Sequence, residues 1–246
     1  MLKTRYQISI LWLGIVFIIP IFQLSSLFSE PSCDLDSRKE KLYRLDLTVP
    51  ATFCSRAGND PSCKIFPKKS ILQLHGLWPN YTNGFPEGNC EPNECKTQSV
   101  KLGKFCKYPK PKGLYDSKTW KELSEDYMAG REKCLERHEW VKHGVCSPME
   151  ASTYFKWALE KTKKISLAFE PLVDKSIGKA EVNAIVKKNL PDLDGVIRLS
   201  CKGKFVSGVF VLYEWGDIPG NPIQTRGAEN GFGNCPKKFI FPSNPN

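Results

Sequence analysis

Histidine is scarce. The 246-residue chain holds three, His75, His138 and His143, and all of them fall in two short stretches. His138 and His143 are five apart, whereas a zinc-protease helix needs two histidines four apart on one face. That class is disfavoured. None of the ten cysteines forms a Cys-x-x-Cys pair, which speaks against a zinc ribbon. No metal or other cofactor is therefore expected. Internal repeats and low-complexity tracts are missing. Strands and helices do not alternate in a βαβα rhythm, which leaves an α+β fold. After the N-terminus, no apolar run approaches the about 20 residues of a membrane span.

The N-terminus itself has the layout of a secretory signal peptide. Lys3 and Arg5 precede an apolar run from Ile8 to Phe22, followed by a Ser-rich stretch to Ser29. The run is short for an anchor, so residues 1–29 are read as a cleaved signal and 30–246 as one domain. Ten cysteines in an ordinary composition also point to an oxidising compartment. The expected location is secreted or lumenal: extracellular, a lysosome-like compartment, or a periplasm. A hydrophobic fraction of 41% allows a real core, with disulfides as reinforcement. The net charge of +10 falls to +8 once Lys3 and Arg5 are removed, with 34 basic against 26 acidic residues. Such a balance suits a polyanionic partner, or plain solubility.

Residues 43–49 alternate and read as a strand stopped by Pro50. Ile71 to His75 reads as a second strand, with Leu72 and Leu74 toward the core and His75 on the other face. Residues 54–69 and 79–113 look like cysteine-bounded loops. Helices are expected over 117–128, with Ser117 as cap, over 131–143, from about Ser147 onward, and over 179–189. Strands are expected at 196–201, 205–213 and 238–241.

The densest chemistry lies in Arg137-His138-Glu139-Trp140-Val141-Lys142-His143-Gly144-Val145-Cys146. On a helix, Glu139 and His143 share a face, as do His138 and Lys142. Histidine is both acid and base near neutral pH. Two imidazoles flanking one phosphodiester can take a proton from a nucleophile and give one to a leaving group. Glu139, Lys142 and His138 can hold the phosphate and balance charge growing on its oxygens. In RNA the nucleophile is built in as the ribose 2′-OH. Each element alone has a plainer explanation: a structural histidine on a strand, a solvated charged helix face, or core aromatics. The two stretches together shift the balance.

His75-Gly76-Leu77-Trp78-Pro79 and the stretch His138 to Cys146 resemble the two active-site segments of the ribonuclease T2 family. Weaker likeness lies in Pro50-Ala51-Thr52-Phe53-Cys54, Ile197-Arg198-Leu199-Ser200-Cys201 and Cys235-Pro236, so the resemblance spans about 40–240. It implies an α+β fold with an antiparallel sheet core, several packed helices and disulfide reinforcement. It implies a monomeric endoribonuclease that cleaves single-stranded RNA but not DNA, without a metal, through a 2′,3′-cyclic phosphate. His143 would be the general base on the 2′-OH, His75 the general acid on the leaving oxygen and His138 a phosphate ligand. Glu139 and Lys142 would stabilise the pentacovalent intermediate. Trp78 would stack on a base, with Asn80 and Phe85 as further base contacts. Asn80 replaces a common Asp, Phe85 a tyrosine, Leu135 an aromatic, and Thr48-Val49 the usual Gln-Trp. Base preference is what these changes alter.

The resemblance further implies disulfides Cys54–Cys63, Cys90–Cys146 and Cys201–Cys235. Cys33, Cys95, Cys106 and Cys134 remain with three pairings open, Cys134 being expected with Cys95 or Cys106. Asn80-Tyr81-Thr82 is the chain's single glycosylation sequon, in conflict with a base-contacting Asn80. A second expectation, a toxin-like or RNA-binding effector with incidental cleavage, uses the same fold.

Overall fold

The computed structural model describes residues 40–66, 68–82, 104–224 and 232–245. The expected signal segment, Phe85, Cys33, Cys90 and Cys95 lie outside the described residues. The described chain is organised on one four-stranded antiparallel sheet. Its strands are β1 (Lys41–Thr48), β2 (Gln73–Tyr81), β3 (Arg198–Lys202) and β4 (Phe205–Glu214). Their order is β2-β1-β4-β3, with every neighbour antiparallel. The α+β expectation stands.

Alternation in β1 sets the two faces of the sheet. Tyr43, Leu45 and Leu47 are fully buried. Arg44, Asp46 and Thr48 occupy the opposite phase and are only partly buried. A strand's period of two makes this separation automatic. On the core side lies α4 (Ala151–Phe169), whose Tyr154, Phe155, Ala158, Leu159 and Ile165 recur at three- and four-residue steps and are buried. They pack with Leu74, Leu77, Val209 and Val211 of the sheet into one core.

The edge strand β2 runs further than the sequence suggests, through Gly76, Trp78 and Pro79 to Tyr81. Proline lacks an N–H and is tolerated at a sheet edge. The free side of β2 is covered rather than exposed. Tyr154 Oη accepts from the Leu77 N–H at 3.0 Å and donates to the Leu77 carbonyl. The Ala129 N–H donates to Leu74 O at 3.0 Å. At Leu74 and Leu77, backbone groups that would template aggregation are thereby satisfied.

Several elements depart from expectation. Pro50 does not merely stop β1; it opens a short helix, α1 (Pro50–Cys54), because proline at the first helical position loses no hydrogen bond. The helix expected over 117–128 is α2 (Lys118–Glu122), capped by Ser117 as anticipated, followed by a π turn over Leu123–Tyr127. The chain leaves the helix there so that Met128 and Ala129 can pair with β2. The helix expected over 131–143 is broken. Arg131–Lys133 form a 3-10 turn, Cys134 adopts φ 60°, and α3 (Leu135–Lys142) begins anew. A left-handed non-glycine residue is uncommon and costly, and here Cys134 is fixed by its bond to Cys106. The α5 helix (Lys179–Asn189) matches its expected span. The stretch 238–241 makes isolated bridges to Ile177, Val173 and Phe205 instead of a strand.

Cys54–Cys63, Cys106–Cys134 and Cys201–Cys235 are bonded. Cys146 is also disulfide-bonded, and Cys90, its expected partner, lies outside the described residues. Each such link typically contributes about 2–4 kcal/mol.

Candidate active site

A β-bulge builds the strand side of the site. Leu47 pairs with Leu74 and Asp46 with Gly76, so His75 is the extra residue between them. Bulges re-aim side chains and occur beside active sites. Here the extra residue also shifts the alternation by one. Leu77 joins Leu74 in the core, while Trp78 joins His75 on the opposite face. A regular strand would have put His75 and Trp78 on opposite faces.

The α3 helix supplies the other wall. Glu139 is almost completely buried and stands between two imidazoles. Its Oε1 lies 3.6 Å from His75 Nε2, and its Oε2 lies 3.8 Å from His143 Nε2. The Trp78 indole N–H donates to Glu139 Oε2 at 2.7 Å. His143 follows the last helical residue, and its N–H still bonds the Glu139 carbonyl at 3.0 Å. The expected shared face of Glu139 and His143 is therefore realised at the end of the helix. The Trp78 and His143 rings stack with centroids 5.1 Å apart.

Gly76 permits this approach. A Cβ there would stand 2.3 Å from both Glu139 Oε2 and Trp78 Nε1, well inside contact distance. The glycine after His75 is thus a requirement of the carboxylate, not of the turn.

His138 stacks on Phe105 at 4.4 Å, meets Tyr108 edge-on, and lies 6.5 Å from His143. Its Nδ1 is buried without a partner. The Cys106–Cys134 bond holds Phe105 and the start of α3 together. Phe105 and Tyr108 were not anticipated. Their only signal is proximity to Cys106.

Burial governs the electrostatics. It pushes His138 down to about 4, with Lys142 and His75 adding to the effect. It pushes His143 well below 6.5, again helped by Lys142, His138 and His75. Burial raises Glu139, opposed by His75, the Trp78 hydrogen bond and Lys142. At neutral pH His143 is therefore an unprotonated imidazole, the form a general base requires.

A pocket opens beside His75, lined among others by Thr48, Phe53, Gln73, Phe105, Lys133 and Leu135. Lys133 is paired with Asp60 at 2.6 Å. Asn80 is buried in β2, and its Nδ2 has no partner. Residues missed by sequence reasoning are Asp46, whose Oδ1 lies 3.8 Å from His75 Nδ1, and Arg44, which bonds Asp46 Oδ2 and lies over Phe210 and Trp78. Their signal was the polar phase of β1.

Two imidazoles stand around one buried carboxylate, beside a lysine and an open pocket, an arrangement suited to proton transfer. The chain belongs to the Ribonuclease T2 family, whose sequence model matches residues 40–203. Ribonuclease I of Escherichia coli (strain K12) is 26% identical over 200 residues, 71% of this chain and 72% of its own. Ribonuclease 1 of Arabidopsis thaliana is 32% identical over 99 residues, 38% of this chain and 37% of its own. The chain thus spans little more than a third of that plant relative. RNase NT, solved in complex with 5'-AMP, superposes with a TM-score of 0.54 at 19% identity, over 82% of this chain and 98% of its own. Trichomaglin, described as a novel S-like ribonuclease, gives 0.55 at 19% identity, over 83% and 98%. At such identities the likeness is one of fold.

Proposed function

We propose that this T2-type endoribonuclease cleaves single-stranded RNA by transphosphorylation, without a metal, leaving a 2′,3′-cyclic phosphate. The observation that carries this reading is Glu139 lying between His75 and His143. His143, kept neutral by burial, takes the proton of the 2′-OH. His75, on the other side of the carboxylate, protonates the departing 5′-oxygen. Lys142, whose charge is felt by Glu139, His138 and His143, offsets charge on the phosphoryl oxygens. His138, neutral and half-buried, offers a hydrogen bond rather than a charge.

Trp78 is assigned a positioning role beside its expected base contact, because its N–H is committed to Glu139 and its ring to His143. The pocket beside His75 suits the leaving nucleoside. Phe53, Phe105 and Leu135 give it apolar walls, and Thr48, Gln73 and Lys133 give it polar ones. Phe85 completes the reading as a base contact, whereas burial of Asn80 in β2 leaves its amide little surface to offer a base. DNA lacks the 2′-OH nucleophile and is not a substrate. Three described disulfides favour a secreted or lumenal protein. Its relatives bear both printed names, Extracellular ribonuclease LE and Intracellular ribonuclease LX, each of Solanum lycopersicum.

The test is digestion of defined dinucleotides in excess chelator, with mass analysis of the products. A cyclic phosphate from the ribose substrate and no reaction of the deoxy analogue are expected. Loss of activity in chelator, or cleavage of the deoxy strand, refutes the mechanism.

A further inference from the structure

Each ring nitrogen of His75 faces a carboxylate. Nε2 lies 3.6 Å from Glu139 Oε1, on the side of the second imidazole. Nδ1 lies 3.8 Å from Asp46 Oδ1, on the side of β1. Asp46 is the residue across the sheet from the bulge that carries His75, paired with Gly76. Its own orientation is fixed. Arg44, two residues earlier on the same face, donates through Nε at 2.9 Å and through Nη2 to Asp46 Oδ2, leaving Oδ1 toward the histidine. The Arg44 guanidinium is held in turn 4.2 Å from the Phe210 ring centroid.

We propose that Asp46 is a positioning residue for His75, holding a proton on Nδ1 so that Nε2 presents the proton delivered to the leaving oxygen. At 3.8 Å the contact is electrostatic rather than a formed hydrogen bond, and a carboxylate beside one ring nitrogen still orients the ring and biases which nitrogen keeps its proton. A carboxylate in that place also favours the imidazolium. This inference rests on the acid role of His75 proposed above. The other titratable and charged groups about the ring are Glu139, Lys142, His138 and His143 from the α3 side, Arg44 from β1, and the Lys133–Asp60 pair across the pocket. Asp46 is the one that addresses Nδ1.

Two variants with opposite expected signs test it. In Asp46→Asn the alkaline limb of the kcat profile should move to lower pH, the size of the move being limited by Arg44, which partly neutralises the carboxylate. Turnover at the optimum should fall roughly tenfold with KM little changed. In Arg44→Gln, which frees the charge of Asp46, the same limb should move to higher pH. A packing defect would not reverse sign between the two. Imidazole NMR of the folded variants reads His75 directly, with or without RNA cleavage. Its titration should follow the same two directions, and the Nδ1–H tautomer should lose population in Asp46→Asn. A His75 titration and tautomer unchanged in both variants would overturn the role of Asp46. A titration that moves while the rate profile stays fixed would instead remove His75 as the general acid.

Discussion

The Trp78 indole nitrogen and the Glu139 carboxylate are joined by a 2.7 Å hydrogen bond. That bond crosses from the edge strand to the helix and binds the two halves of the site. A hydrogen bond to a charged group is worth about 1.5–3 kcal/mol. Trp78→Phe keeps a smaller ring against His143 and removes the donor. Turnover should fall between roughly tenfold and a hundredfold, with little change in KM. Steady-state kinetics beside a circular dichroism spectrum checks this; a variant of wild-type kcat would show that the bond holds nothing the reaction uses.

Gly76→Ala should be more damaging than its size suggests. The new Cβ would meet Glu139 and Trp78 at 2.3 Å, and one of them must move. Misplacement of a catalytic group by about 1 Å can cost on the order of 10²-fold. We expect a folded protein with a loss of that size, measured as kcat/KM on a dinucleotide. Near-normal activity would mean that the carboxylate can shift without penalty.

His75→Ala and His143→Ala should each lower turnover by at least ~10²-fold, the scale of losing a general acid or base. His138→Ala should raise KM more than it lowers kcat. Single-turnover rates separate the two effects, and a His143→Ala enzyme of ordinary rate would refute the assignment.

The rate should be bell-shaped with its optimum on the acid side of neutrality. Burial and Lys142 depress His143, so the base stays neutral, and competent, well below pH 6.5. Removing the lysine charge relieves part of that depression. In Lys142→Met the acid limb should therefore move to higher pH, the base now being protonated sooner. A limb that stays in place, or moves down, would show that Lys142 does not act on His143.

Asn80 should carry no glycan in active protein from a eukaryotic secretory host. Its side chain is 3% exposed and the residue pairs with Leu42 in the sheet. Mass spectrometry reads the occupancy. Full occupancy with undiminished cleavage would contradict its burial in the sheet.

Much of the fold could be read from local pattern. Alternation marked β1, a helix was expected over the span of α5, and a strand was expected where β4 lies. What pattern could not show was each place where a distant partner overrides it. The second strand was expected over Ile71 to His75, yet β2 continues to Tyr81 because an edge tolerates Pro79 and Tyr154 satisfies Leu77. The segment 131–143 had helical composition, yet it breaks at Cys134, which bonds a cysteine 28 residues away.

The sequence by itself determined which titratable groups are available to the candidate site. Three histidines confined to two motifs, with Glu139 and His143 four apart, leave few other arrangements, because helical spacing is a local property. Only the tertiary structure decided how those groups are disposed. The bulge at His75 depends on register with β1, the neutrality of His143 on burial by the whole fold, and the placement of Asp46 on pairing across the sheet. Register, desolvation and cross-strand contact all involve residues far apart in the chain, and no local window of sequence contains them.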